Sequence, residues 1–280
     1  MLDVLLVTSA GRPFGEPGHE LLDAALAGLG LSSRWAVWDD PSVDWAGARL
    51  VAVRSTWDYQ DRRREFLDWA ERIGPALING AAAFRWNTDK SYLLDLAGHT
   101  DLPVVPSVLA GDADAVRTAV ARFGTAVVKP RVGASGVGVE VVADAAAWRP
   151  GGSGSAGPWL VQPLVDSVHT EGEQSVFVLG GRPVSQAVKR TGGHDVRVHE
   201  RHGGTTTAVP LDDAAARLAV DAVAAASTRT GADLVYARVD LLHLDGRLVV
   251  SEVEVTEPGL YLPILPVNAT ALAAALATRL

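Results

Sequence analysis

Apolar positions in the first third of the chain alternate between unbroken runs and a helical period. Leu2, Val4, Leu5, Leu6 and Val7 form a continuous run broken by Gly11 and Pro13, the pattern of a strand over 3–8 covered on both faces. Leu22, Ala25, Leu26 and Leu29 then recur at helical spacing up to Gly30, predicting a helix over 19–29. Strands follow over 34–38 and 50–54. Phe66, Leu67, Trp69, Ala70 and Ile73 mark the inward face of a helix over 61–73, and a short strand ends at Ile78. This βαβ rhythm implies a parallel sheet with helices on its faces. Ligands of such sheets sit at the carboxyl ends of strands, here the segments after Thr8 and after Val53.

From Thr88 the rhythm changes. Asn87 or Thr88 is placed to cap a helix running through Leu96, followed by a strand over 103–108, a helix over 112–123 and strands over 125–129 and 137–142. The run 150–158, PGGSGSAGP, reads as a flexible surface insertion. Beyond Trp159 the pattern becomes antiparallel. Runs over 173–179 and 183–189 flank Gly180-Gly181, and runs over 236–242 and 248–255 flank Asp245-Gly246, with a helix over 213–230 between the two hairpins. Parallel α/β followed by α+β is the resulting fold class.

With 280 residues, 48% of them hydrophobic, the chain can bury a sizeable core. A net charge of −8 and the lack of a basic stripe argue against a nucleic-acid partner and for small substrates. The absence of cysteine removes disulfides and thiolate chemistry. No basic leader precedes the first strand and no apolar run reaches the roughly 18 residues of a membrane span, so a cytoplasmic protein with no membrane partner is expected. Nothing in the pattern specifies an oligomeric state.

Three groups of residues carry candidate chemistry. The first is Gly133-Ala134-Ser135-Gly136-Val137-Gly138, preceded by Lys129 on a strand; backbone N–H groups of such a loop can close on phosphate oxygens while the lysine supplies a point charge. A strand follows the loop, so neither a dinucleotide fingerprint nor a P-loop is present, and a plain glycine-rich hairpin fits the same residues. The second group is Arg238 and Asp240 on one strand with Glu252 and Glu254 on the next. A two-residue turn at Asp245-Gly246 would put the two pairs on opposite faces. A three-residue loop, Leu244-Asp245-Gly246, would align all four, and this is the expected arrangement, because three converging carboxylates make a magnesium site beside an arginine suited to phosphate. The alternative is a solvated face with cross-strand pairs such as Arg238 with Glu252. The third group is the strand and connector Gln162-Pro163-Leu164-Val165, followed by Glu171 and Glu173. It could offer backbone groups to a base and a carboxylate to ribose hydroxyls. In the N-terminal part, Arg54, Trp57 and Asp58 form a candidate substrate turn; an ordinary strand end with Arg54 paired to Asp58 would read the same way.

The order of these pieces resembles the ATP-grasp superfamily over about residues 86–259: Lys90 after Trp86-Asn87-Thr88-Asp89, then Lys129, the glycine loop, the 162–165 connector, Arg238-Val239-Asp240 and Glu252-Val253-Glu254. The resemblance implies an ATP-grasp fold. A Rossmann-like N-terminal substrate domain would span 1–85, a central lobe 86–165 and a C-terminal lobe with the metal site 166–280. It further implies that Lys90, Lys129, Gly133, Ser135 and Gly136 hold the phosphates of ATP, and that Gln162, Leu164, Val165 and Glu171 or Glu173 hold adenosine. Asp240, Glu252 and Glu254 would hold Mg2+. Many members carry Asn where this chain has Glu254, which alters the charge balance. Asp195-Val196-Arg197 with Gly203-Gly204 is similar to the glutathione synthetase branch and implies Arg197, with Arg238 and Lys129, as catalytic cations and Gly203 and Gly204 near the substrate. The phrases Arg54-Ser55-Thr56-Trp57-Asp58-Tyr59 and Thr170-Glu171-Gly172-Glu173 resemble the subgroup that includes a cyclo-ligase of D-cycloserine biosynthesis. The implied activity is ADP-forming ligation of a small carboxylate to an amine through an acyl phosphate, between molecules or within one. A kinase on the same scaffold and a non-catalytic nucleotide-binding regulator are the alternatives. His169, His194, His199 and His202 read as solvated loop residues.

Overall fold

The computed structural model describes all residues except 152–156, 194 and 195. The first unit is a parallel sheet of β1 (Leu2–Thr8), β2 (Ser33–Val37) and β3 (Ala48–Ser55), in the order β2-β1-β3. Val4 to Val7 and Val51 to Val53 are covered on both faces, which explains their unbroken apolar runs. Helix α1 (His19–Gly28) packs on one side, and α2 (Arg63–Ile73) on the other, where its stacked Phe66 and Trp69 meet Trp38 edge-on. The segment expected to end at Ile78 as a strand makes only one parallel bridge, Val51 to Leu77.

Two helices follow where one is expected. α3 (Gly80–Asn87) and α4 (Tyr92–His99) are separated by residues 88–91, so neither Asn87 nor Thr88 caps α4. The Asn87 side chain is used elsewhere: its Nδ2 donates to Val253 O at 2.6 Å and its Oδ1 accepts from Val255 N at 2.9 Å. Of residues 103–108, expected as a strand, only Val108 lies in one. Val104 makes one bridge to Val250, and β4 is Val108–Ala110. With α5 (Ala113–Phe123), capped by Asp112, come β5 (Ala126–Pro130), β6 (Glu140–Val142) and β7 (Trp159–Pro163), giving an antiparallel sheet in the order β4-β7-β5-β6. β6 starts later than expected because Ser135, Gly136 and Gly138 have positive φ. Of the expected 150–158 insertion, residues 152–156 lie outside the described residues.

A short helix, α6 (Ser167–Thr170), leads into a five-stranded antiparallel sheet. It is built from β8 (Glu173–Leu179), β9 (Arg182–Arg190), β10 (Thr205–Val209), β11 (Tyr236–Leu244) and β12 (Arg247–Glu254), in the order β10-β9-β8-β11-β12. The long helix α7 (Asp213–Thr230) covers one face with an alanine stripe and ends at Gly231 in the left-handed region. α8 (Val267–Ala277) closes the fold. Leu272 and Leu276 of α8 share one core with Val4, Leu6, Leu22 and Leu26 of the first unit and Phe177 of β8, so the parallel and antiparallel sheets are joined by apolar packing. No helix among the described residues is long and apolar enough to cross a membrane.

Candidate active site

A cleft of about 580 Å³ opens between the four-stranded and five-stranded sheets and extends to the loops of the parallel sheet. Its floor is the face of β11 and β12 that carries Arg238, Asp240, Glu252 and Glu254. The expected three-residue loop between these strands is not what forms. Leu244 pairs with Arg247 across a two-residue turn in which Asp245 (φ 52°) and Gly246 (φ 75°) are both left-handed. Opposed faces would result if the register continued unchanged. Instead Leu241 pairs with Val250 while Asp240 pairs with Glu252, leaving Ser251 as an extra residue in β12. This β-bulge restores the alignment, with Arg238 opposite Glu254 and Asp240 opposite Glu252. One oxygen from each of Asp240, Glu252 and Glu254 can be chosen so that all three lie within 4.8 Å of one another.

Cations surround this acidic face. Lys90 pairs with Glu252, and Arg238 bonds both oxygens of Asp240, at 3.0 and 2.9 Å, as well as Glu254. Lys189, which the sequence pattern did not single out, lies 3.0 Å from Asp240 and pairs with Glu173. Ser175 donates to Asp240 at 2.6 Å. Burial opposes ionisation of Asp240 and Glu252, yet Arg238 and Lys189 hold Asp240 well below the usual carboxylate range, and Lys90 with Lys129 holds Glu252 at about 2. Glu254 behaves differently: burial, assisted by the neighbouring Asp240 and Glu252, outweighs Arg238 and pushes it up to about 7. Glu257, also missed from sequence, is driven up to about 8 by burial and by Glu254. The local cations therefore do not offset the cost of ionising these two carboxyls. Three converging carboxylates form an all-oxygen donor set, which fits a hard divalent cation.

Lys129 lines the same cleft and has no ion pair among the described residues; burial lowers its affinity for a proton, with Glu252 partly compensating. Above it the glycine loop brings Gly133, Ser135 and Gly136 to the cleft wall. Its Ala134 amide is bonded by Gln60 of the N-terminal unit, and Ser135 O lies 3.3 Å from His202 Nε2. The stem of Arg197 runs beside Gly136, where an added Cβ would lie 3.4 Å from it. Asp195 and His194 lie outside the described residues.

Gln162, Leu164, Val165 and Glu173 line the cleft, but the Leu164 amide is bonded to Thr125 O at 2.9 Å, which removes it as a donor to a base. Glu171 does not line the cleft. It lies half-exposed, 2.7 Å from His243, because the turn of α6 directs it outward. Gly203 and Gly204 are also away from the cleft. They pack a loop so closely that a Cβ on Gly204 would stand 2.1 Å from Val198 O.

Arg54 is fully buried, with Nη2 bonded to Glu16 at 2.9 Å and to Pro258 O at 2.7 Å, and is closed off from the cleft. Its partner is Glu16 and not Asp58, which instead accepts from Trp38 Nε1 at 3.1 Å outside the cleft. Trp57 does reach the cleft, as does Tyr59, while Ser55, at the end of β3, and Thr56 are fully buried. Arg12 and Glu16 come from the other strand-end segment. Both strand-end segments of the parallel sheet therefore reach the cleft, the first through Arg12 and Glu16 and the second through Trp57 and Tyr59.

Residues 4–79 match the family of D-cycloserine synthetase DcsG N-terminal domains, and residues 98–267 match the ATP-grasp domain of prokaryotic glutathione synthetase. The chain is 32% identical to the cycloserine biosynthesis protein DcsG of Streptomyces lavendulae, over 98% of each chain. The crystal structure of D-cycloserine synthetase DcsG superposes with a TM-score of 0.87 at 30% identity, covering 99% of both chains. D-alanine–D-alanine ligase from Bacillus anthracis, at 13% identity and a TM-score of 0.66 over 100% of this chain and 97% of its own, shares the fold. With the glutathione synthetase-type domain covering more than half its length and a relative 32% identical from end to end, the chain belongs to the ATP-grasp family of ligases.

Proposed function

We propose that the protein is an ATP- and magnesium-dependent ligase that joins a carboxylate to an amine of a small amino-acid-like substrate through an acyl phosphate. The observation that carries this reading is the pairing of an aligned carboxylate face with Lys129, a buried lysine without an ion pair among the described residues, beneath a glycine loop. Asp240, Glu252 and Glu254 are the residues that would hold magnesium, whose charge, when bound, offsets that of the β- and γ-phosphates. Lys129 and Lys90 bind phosphate oxygens; Lys90 exchanges Glu252 for phosphate when the nucleotide enters. Arg238 lies across the acidic face and Arg197 beside the glycine loop, both placed to stabilise charge gathering on the transferred group. Gln162, Val165 and Glu173 wall the adenosine end.

A substrate carboxylate oxygen attacks the γ-phosphorus and ADP leaves. The amine then attacks the acyl carbon, inorganic phosphate leaves, and the amine gives up a proton. Positioning and electrostatics suffice for both steps, with no protein nucleophile. The relative's role in cycloserine biosynthesis supports an intramolecular closure, and dependence on ATP supports a cytoplasmic location.

The test is ADP and phosphate release across D- and L-amino acids and dipeptides, with product mass. Ligation gives both ADP and free phosphate and a product lighter than its precursors by one water. A phosphorylated product without free phosphate would identify a kinase. Lys129→Ala and Glu252→Ala are expected to lower kcat/KM by about 100-fold or more, the scale of losing one preorganised charge. ATP binding with no turnover on any of these substrates would favour a regulator.

A further inference from the structure

Each carboxylate of the cleft that is at least half-buried has a cation against it, with one exception. Glu16 holds Arg54, Glu173 and Asp240 hold Lys189, Glu252 holds Lys90 and Glu254 holds Arg238. Glu257 is 9% exposed, lines the cleft, and has no ion pair or side-chain hydrogen bond among the described residues. It lies outside the triad of Asp240, Glu252 and Glu254.

The position is rigid. Glu257 sits in the strap that follows β12, where Trp57 Nε1 donates to its carbonyl at 3.0 Å. The neighbouring Pro258 carbonyl is held by Arg54 and the Val255 amide by Asn87. The side chain therefore stays at the end of the cleft lined by Trp57, Tyr59 and Tyr261, where the parallel-sheet loops meet the five-stranded sheet. Of the cations around it, Arg12 stands over the Trp57 ring at 5.0 Å, while Lys90 and Arg238, whose charges reach Glu257, are ion-paired with Glu252 and with Asp240 and Glu254. A buried carboxylate with no ion pair of its own, at an end of the cleft lined by aromatic rings, is complementary to an organic cation: the carboxylate accepts its N–H bonds and the rings favour its charge.

We infer that Glu257 determines substrate specificity by accepting the ammonium group of the substrate in this aromatic-walled subsite. The inference rests on the ligase reading for the presence of an amine-bearing small substrate. It separates the end of the cleft that recognises the substrate's charge from the triad that serves the phosphates. Neutral counterparts, in which a hydroxyl replaces the ammonium, offer the carboxylate one neutral O–H donor and no charge, and bind more weakly.

Calorimetric binding of D- and L-serine and D- and L-alanine, each compared with D- and L-glycerate or lactate, tests this in the presence of ADP and magnesium. Wild-type protein is expected to prefer one or more of the amino acids over the matching hydroxy acid by about ten-fold or more, the scale of a charge-assisted hydrogen bond. Glu257→Gln, which keeps shape and removes charge, is expected to abolish that preference while ADP binding and its magnesium requirement stay within about two-fold. Retained ADP binding also certifies that the variant is folded. Equal binding of amino and hydroxy acids, no binding of any amino acid to the wild type, or an unchanged preference in Glu257→Gln would each overturn the inference. So would loss of the magnesium requirement for ADP binding, which would make Glu257 a metal ligand. The ligase reading fails by a separate result: amino-acid-dependent ATP cleavage without a C–N bonded product.

Discussion

At the scale of single residues, the acidic face sets how stability depends on pH. Glu254 binds its proton up to about 7, whereas an unfolded glutamate releases it near 4.5. Between those values the folded chain holds the additional proton, so stability without metal is greatest below pH 4.5 for this group and falls as pH rises toward 7. A difference of this size corresponds to roughly 3 kcal/mol. Glu257 contributes in the same direction up to about pH 8. Glu252 contributes oppositely, through stability lost only as pH falls toward 2, outside that window. Urea denaturation of metal-free protein at pH 5, 6, 7 and 8 is expected to show a falling midpoint. Glu254→Gln should flatten the decline; a variant that keeps the full slope would show that Glu254 is not its source.

At the scale of elements, the hairpin of β11 and β12 shows how far the pattern of side chains could be read. Alternation puts Arg238 with Asp240 and Glu252 with Glu254, and one odd residue is required to bring the two pairs together. That requirement was legible. Where the odd residue sits was not, because Asp245-Gly246 suits a two-residue turn and the bulge at Ser251 has no strong local signature: serine is neither a glycine kink nor a proline break. The same limit hid α3, which starts at Gly80 directly after a left-handed Asn79, a pair that reads locally as a turn. Deleting Ser251 removes the extra residue and leaves Glu252 opposite Asp240 and Glu254 opposite Arg238 in a uniform register. The variant is expected to keep magnesium-dependent ADP binding by calorimetry, as is Ser251→Ala, which keeps the bulge. Loss of binding by a folded deletion variant would show that the added twist of the bulge, and not the alignment alone, brings the three carboxylates together.

At the scale of the molecule, the parallel sheet and the five-stranded sheet are joined by a polar seam as well as by the shared core. Asn79 reaches from the first unit to Val235 N, Tyr236 O and Val255 O, and Arg54 with Glu16 fastens Pro258 and Leu260. Such contacts span about 156 to 244 positions of chain, which is why a local reading of Arg54 could offer only a substrate role or a nearby partner. The two roles predict different measurements. A substrate-binding arginine replaced by methionine would raise KM and leave stability unchanged. A seam arginine replaced by methionine strands the Glu16 charge in the interior and should cost about 3–5 kcal/mol in urea unfolding. Replacing Glu16 as well, in Arg54→Met with Glu16→Leu, removes the stranded charge and should recover part of that loss, although Leu260 N then loses its acceptor. Recovery in the double variant identifies the pair as a structural fastening, because a lost substrate contact cannot be repaired by deleting a second charge. No stability change in Arg54→Met, together with a raised KM, would return Arg54 to the substrate site.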